Sequence, residues 1–176
     1  MRVLIRQETE EDHELTEKII KKAFENEELS DHQEHLLVER LRASEAFIPE
    51  LSLVALHDEQ DIVGHILLSN IKIVDGDHVT DSLALAPVSV LPDYQNHGIG
   101  SQLIQVALTK AEELGFASVI VLGHPAYYPR FGFQRASRWG IQAPFDVPDD
   151  AFMALELLEN SLAEFSGVVQ YDATFG

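Results

Sequence analysis

The chain has 176 residues, enough for one domain with a real core and no need of metal or disulfide staples. Its 45% apolar and 24% charged content excludes a disordered, collagen-like or disulfide-scaffold protein. Twelve Lys and Arg against thirty Asp and Glu leave a formal net charge of −18, which repels nucleic-acid phosphates and excludes a general nucleic-acid-binding role.

Such a surface keeps a protein soluble and also draws in a cationic substrate or a basic partner. The absence of cysteine excludes a catalytic thiol and a thiolate metal site, and it fits a reducing cytoplasm. The stretch from Met1 to Asp12 is charged and has no apolar core of a secretory signal. No apolar run approaches the roughly 18 residues of a membrane helix.

Val3 to Arg6 reads as a short strand. Glu11 to Asn26 places Leu15, Ile19, Ile20, Ala23 and Phe24 at helical spacing. His32 to Arg42, with Leu36, Leu37 and Leu41, reads as a second helix capped by Ser30 or Asp31. The acidic stretch from Glu8 to Glu45 reads as a solvated face that could also shape an electronegative mouth for an amine. The period then changes to that of strands over Leu51 to His57, Ile62 to Val74 and Thr80 to Val90. Asp58 to Asp61 and Asp75-Gly76-Asp77 form the intervening turns. Ile99 to Leu114 is an amphipathic helix with Leu103, Ile104, Ala107, Leu108, Ala111 and Leu114 on one face, ended by Gly115. Ala117 to Leu122 is a buried strand, placed most economically parallel to the strand before the helix. Pro125 to Arg130 is a short helix or turn, and Phe152 to Leu157 and Val168 to Tyr171 are late strands. The expectation is an α/β fold with a mixed sheet of about six or seven strands, helices on both faces, and one domain over residues 1–176.

The segment from Leu85 to Ser101 carries the chemistry. A strand ends, a loop turns, and Gly98 and Gly100 open a long helix. A helix start offers backbone N–H groups and the positive end of a dipole, and glycine lets a phosphate approach the backbone. The dinucleotide-fold and Walker loops do not fit: Leu103 stands where a third glycine would, and no Gly-Lys-Ser/Thr is present. What remains is Gln-x-x-Gly-x-Gly at Gln95, Gly98 and Gly100. It follows Val88-Ser-Val-Leu-Pro-Asp-Tyr94 and is completed downstream by Tyr128-Pro-Arg-Phe-Gly-Phe133.

This set resembles the Gcn5-related N-acetyltransferase superfamily. The segment Gly123 to Phe133 with the tail Phe152 to Leu157 looks like a bacterial branch of it. The resemblance implies that the loop Gln95, Asn96, His97, Gly98, Ile99, Gly100 and Ser101 holds the pyrophosphate of acetyl-CoA. It implies that the backbone of Val88, Ser89 and Val90 meets the pantetheine arm, with the Val90 N–H polarising the thioester carbonyl. Asn96 and His97 depart from the Gly and Lys or Arg frequent in relatives, which removes a fixed cation. Pro87 cannot donate to a ladder and implies an edge or a bulge. Tyr128 aligns with a tyrosine that protonates the departing thiolate, with packing alone as the alternative for it and for Tyr127.

Other residues stay open between a chemical and a structural role. His124 lines the coenzyme groove or caps the next turn. Arg130 meets coenzyme phosphates or a surface ion pair. Asp81 and Ser82 are candidates by position for a base, with Asp81 otherwise ending a turn, and no base is assigned. His65 faces the acceptor or is structural. His32 and His35 have the spacing of a metal pair but lack a third ligand, so no metal is expected. Trp139, Phe145 and Phe152 read as core or as a wall of the acceptor pocket.

The implied function is acetyl transfer from acetyl-CoA to a small-molecule or protein amine by direct attack in a cytoplasmic enzyme, with no nucleic-acid or membrane partner. A homodimer is compatible with it. The rival functions are an acyl-CoA-binding regulatory module without turnover and an acetyltransferase acting on protein termini or lysines.

Overall fold

The protein is described by a computed structural model over residues 2–28 and 30–175. It forms two compact units, Met1–Leu68 with Ala86–Lys110 and Ser69–Leu85 with Ala111–Gly176. Two long strands, β3 (Asp61–Asp75) and β4 (His78–Val90), contribute to both.

In the first unit, β1 (Leu4–Gln7) pairs antiparallel with β2 (Ser52–His57), which pairs antiparallel with β3. The turn between β2 and β3 holds Asp58 and Glu59 at φ 53 and 61. The β2–β3 register shifts at Ala55/Leu56, so that Leu56 opposes Ile62 while Ala55 opposes Gly64. Neighbouring residues of a strand face opposite ways, so these two pairs mark the two faces of the sheet. Helix α1 (His13–Phe24) covers one, packing Ile19 on Val54, Leu56 and Ile62. Helix α3 (Ile99–Glu113) covers the other: a Cβ at Gly64 would stand 3.1 Å from Leu103 Cδ1. Helices therefore lie on both faces, as expected. A short turn of 3-10 helix precedes α1 and is tied by Asp12, whose carboxylate takes Arg6 at 2.7 and 3.1 Å and the Thr9 N–H at 2.8 Å. The Arg6 hydrogen bond leads in pulling Asp12 down to about 2.

The second unit carries the far ends of β3 and β4. Strand β5 (Ser118–Leu122) runs parallel to β4, with Leu83 opposite Val119 and Ala84 opposite Ile120. Antiparallel β8 (Phe152–Glu156) lies on β5, and β6 (Gln134–Arg135) on β8. Strand β9 (Gly167–Gln170) pairs with β3 through Ile73 and Val169, and β7 (Ile141–Gln142) runs parallel to β9. Ile71, Ile73, Ile120, Phe152 and Val169 centre its core.

The α/β class and the parallel β4–β5 crossover agree with the sequence reading. The described residues hold nine strands rather than six or seven, because β6 and β7 have two residues each and show no period. Helix α2 (Glu34–Arg42) starts later than His32 and buries Val38 and Leu41. Ser30 and Asp31 do not cap it: Asp31 Oδ1 accepts from Gln33 N at 2.9 Å, in the turn before the helix. Leu114 and Leu122, expected inside, are 39% and 45% exposed.

The largest departure is Glu8. It does not belong to a solvated acidic face; its side chain is 1% exposed, against Arg42 at 8%. Arg42 Nη2 donates to Glu8 Oε2 at 2.7 Å and Nη1 to Glu17 at 3.3 Å. Ser52 Oγ donates to Glu8 Oε1 and lies 2.9 Å from His65 Nε2. His65 is fully buried with Nδ1 unpartnered, and burial pulls it from 6.5 down to about 4, partly opposed by Glu8.

Two outcomes follow. Arg42→Ala strands the Glu8 charge and should cost about 3–5 kcal/mol in urea unfolding; a loss under about 1 kcal/mol would mean that the pair is not desolvated. Between about pH 6.5 and pH 4 the unfolded chain protonates His65 while the folded chain does not. Stability should therefore fall as pH drops through that window, and His65→Gln should flatten the fall in melting temperature.

Candidate functional site

The first unit builds the loop that opens α3. Where β4 ends, the Leu91 N–H donates to Val63 O at 2.8 Å, fixing the chain as it leaves the sheet. Pro92–Tyr94 makes a single 3-10 turn. Gln95 Nε2 then reaches back to Val90 O at 3.0 Å, so this side chain braces the two ends of the turn. Asn96 and Gly98 take left-handed backbone conformations at φ 65 and 79, and a Cβ at Gly98 would meet nothing within 4 Å. Glycine is needed at Gly98 for its dihedral, and the space beside it is open. Ile99 and Leu103 are buried at 1% and 0% and seat the helix. The loop is joined to α3 by the Gln102 N–H, which donates to Gly98 O at 3.1 Å. Helix geometry leaves the N–H groups of Ile99 and Gly100 ahead of that ladder, where an anion can take them.

Asn96, His97 and Gly98 are exposed, and Gly100 and Ser101 are half-buried. On β4 the side chains of Val88 and Val90 are half-buried, not core, while Ser89 between them is 2% exposed. Ser89 Oγ is buried and has no hydrogen-bond partner among the described residues. Pro87 lies inside β4, and its peptide with Ala86 is cis.

The second unit builds the tyrosine turn. After β5, His124 O accepts from the Tyr127 and Tyr128 N–H groups at 3.1 and 3.4 Å, so the backbone of His124 opens the turn while its side chain is exposed. Tyr128 begins the 3-10 segment Tyr128–Phe131 and is 8% exposed. Its ring meets Tyr127 edge-on at 5.2 Å and Phe133 at 5.7 Å. Burial, with Tyr127 beside it, raises the phenol to about 12. Tyr128 is therefore a permanent proton carrier near neutral pH. Gly123 was missed by the sequence reading, and it matters here because a Cβ on it would overlap the Tyr128 ring. The only signal was a glycine directly after a buried strand. Arg130 lies over the Tyr127 ring at 4.4 Å and donates from Nε to Tyr127 O at 3.0 Å, which braces the turn, and it makes no ion pair among the described residues.

Most of the other candidates are held in contacts within the fold. Asp81 pairs with Lys72 at the surface. Ser82 Oγ lies 2.7 Å from Ser118 Oγ inside the sheet. His65 belongs to the Glu8 network. His32 is exposed at φ 60, and among the described residues no group of three or more His, Asp or Glu could hold a metal. Phe152 is core, Trp139 packs against that core, and Phe145 is 48% exposed and stacks on Tyr171 at 6.1 Å.

Residues 13–133 match the Acetyltransferase (GNAT) family, and the chain belongs to that family. It is 31% identical over 125 residues to the uncharacterized N-acetyltransferase YhbS of Escherichia coli K12, covering 71% of this chain and 74% of that one. The crystal structure of Escherichia coli YhbS in complex with CoA superimposes with a TM-score of 0.88 at 28% identity, over 99% of this chain and 92% of that one. A GNAT family acetyltransferase from Brucella melitensis in complex with acetyl-CoA gives 0.81 at 31% identity, over 99% of both chains.

Gly123→Ala should push the Tyr128 ring off its seat and cost about 1–3 kcal/mol, read by urea unfolding and by a shift of the Tyr128 ring resonances. Parental stability with an unmoved ring would show that the contact is not tight.

Proposed function

We propose that the protein transfers an acetyl group from acetyl-CoA to an amine by direct attack in a ternary complex, the whole chain serving that one activity. The observation that carries this reading is the left-handed Gly98, open on its Cβ side, directly ahead of the α3 N–H groups. Ile99 and Gly100 N–H would take the pyrophosphate. Asn96, His97 and Ser101 would flank it, and Gln95 would hold the turn in shape. The backbone from Val88 through Ser89 to Val90 would run along the pantetheine arm, with the Val90 N–H on the thioester oxygen. His124 and Arg130 would act through the turn that carries Tyr128. The bacterial cytoplasm is the setting this reading implies, and the lack of cysteine fits it.

The amine lone pair attacks the thioester carbon, the C–N bond forms, the C–S bond breaks, and the amine proton leaves to solvent. Without cysteine there is no cysteinyl-acyl intermediate. The Tyr128 phenol, raised to about 12, stays protonated at neutral pH and would donate to the developing thiolate, by hydrogen bond or by proton transfer.

Acetyl-CoA should raise the melting temperature of the wild-type chain. Gly98→Val should fold and lose that shift; normal coenzyme affinity in a folded Gly98→Val would remove the loop from the site. Tyr128→Phe should lower turnover about 100-fold with acetyl-CoA binding nearly intact. Its pH–rate profile should keep the parental shape up to about pH 10, because the phenol does not ionise in that range. A lost alkaline limb would show instead that Tyr128 titrates during turnover.

A further inference from the structure

The first unit contains a cavity of about 680 Å³ that none of these roles uses. Its apolar wall is Leu15 and Ile19 of α1 with Ile62 and Leu91. Leu15 remains 47% exposed there, so the chain itself does not cover this stripe. Its polar lining is Lys18, Lys21 and Lys22 of the same helix, Glu25 just beyond the helix end, and His32. Lys18 faces Glu14 at 3.7 Å, whereas Lys21 and Lys22 make no ion pair among the described residues. The chain's other lysines are Lys72, which is paired with Asp81, and Lys110. A protein with a net charge of −18 thus gathers most of its lysines around one apolar hollow, the reverse of what its overall field would offer.

Leu91 follows Val90 in the chain, so the cavity wall runs directly into the loop described above. Resting on the acetyl-transfer reading, we propose that this cavity holds the acceptor, and that the acceptor is a primary amine with an apolar body and a carboxylate, the chemistry of a hydrophobic amino acid. The apolar body fills the Leu15, Ile19, Ile62 and Leu91 wall. Lys21 and Lys22 take the carboxylate, and Glu25 faces the ammonium before it loses its proton. A volume of this size is ordinary for a small-molecule site. The acceptor nitrogen gains the acetyl carbon and gives up a proton, while acetyl-CoA supplies the acetyl group and leaves as the thiol.

The test measures thiol release from acetyl-CoA with L-phenylalanine and L-leucine against phenethylamine and isoamylamine, which lack only the carboxylate. The full chain should show kcat/KM at least about tenfold higher for the carboxylated amines. K21E/K22E should erase that preference and leave the melting shift by acetyl-CoA unchanged, with K72E as a silent control. Equal use of both amine classes, an unaltered preference in K21E/K22E, or no turnover of any of the four by a protein that acetyl-CoA still stabilises would overturn the acceptor assignment. A wild-type chain that acetyl-CoA does not stabilise would overturn the acetyl-transfer reading itself.

Discussion

The position of the first turn of α3 is the constraint on which the proposed chemistry depends. An anion can use helix-start N–H groups only if the helix begins at a fixed place and the chain before it bends out of the way. Several contacts do this together. Gly64 leaves room on β3: an added Cβ would lie 3.0 Å from Ser89 O and 3.1 Å from Leu103 Cδ1. Leu91 is tied to Val63, and Gln95 to Val90, at 2.8 and 3.0 Å. Gly98 then supplies the left-handed backbone that turns the chain into the helix. The loop is thus set by packing and by hydrogen bonds to backbone oxygens.

Charge in this protein divides into an average and an arrangement. The net value of −18 describes solubility and long-range steering. The arrangement does the local work: Glu8 and Arg42 meet inside the first unit, joining β1 to the end of α2, and Ser52 and His65 complete the polar contacts. Removing one partner from such a pair costs more than the pair contributes, because the survivor cannot leave. The lysines of α1 are the outward counterpart, a cationic patch that the overall charge would never suggest.

Much of this was legible in the sequence, and what was missed has common causes. The long strands and α1 and α3 declare their periods, and the glycines at Gly98 and Gly115 mark a loop and a helix end. The family was legible because the loop and the Tyr128 block are each an unbroken run of sequence. Strands β6 and β7 were too short to show a period. Glu8 and Arg42 stand 34 residues apart, and nothing local tells that an acidic residue before a helix turns inward. The Gly123–Tyr128 contact is likewise a matter of space and not of pattern. The contact of the Arg130 guanidinium with the Tyr127 ring was not legible either, because motif position says nothing of which face a side chain lies on.

The proposed chemistry requires that the α3 loop hold a pyrophosphate. Calorimetric titration with coenzyme A and with pantetheine, which has the same thiol arm and no pyrophosphate, tests it most directly. Coenzyme A should bind at least about 100-fold more tightly, and Gly98→Val should remove most of that difference. Equal affinity for the two would contradict the claim.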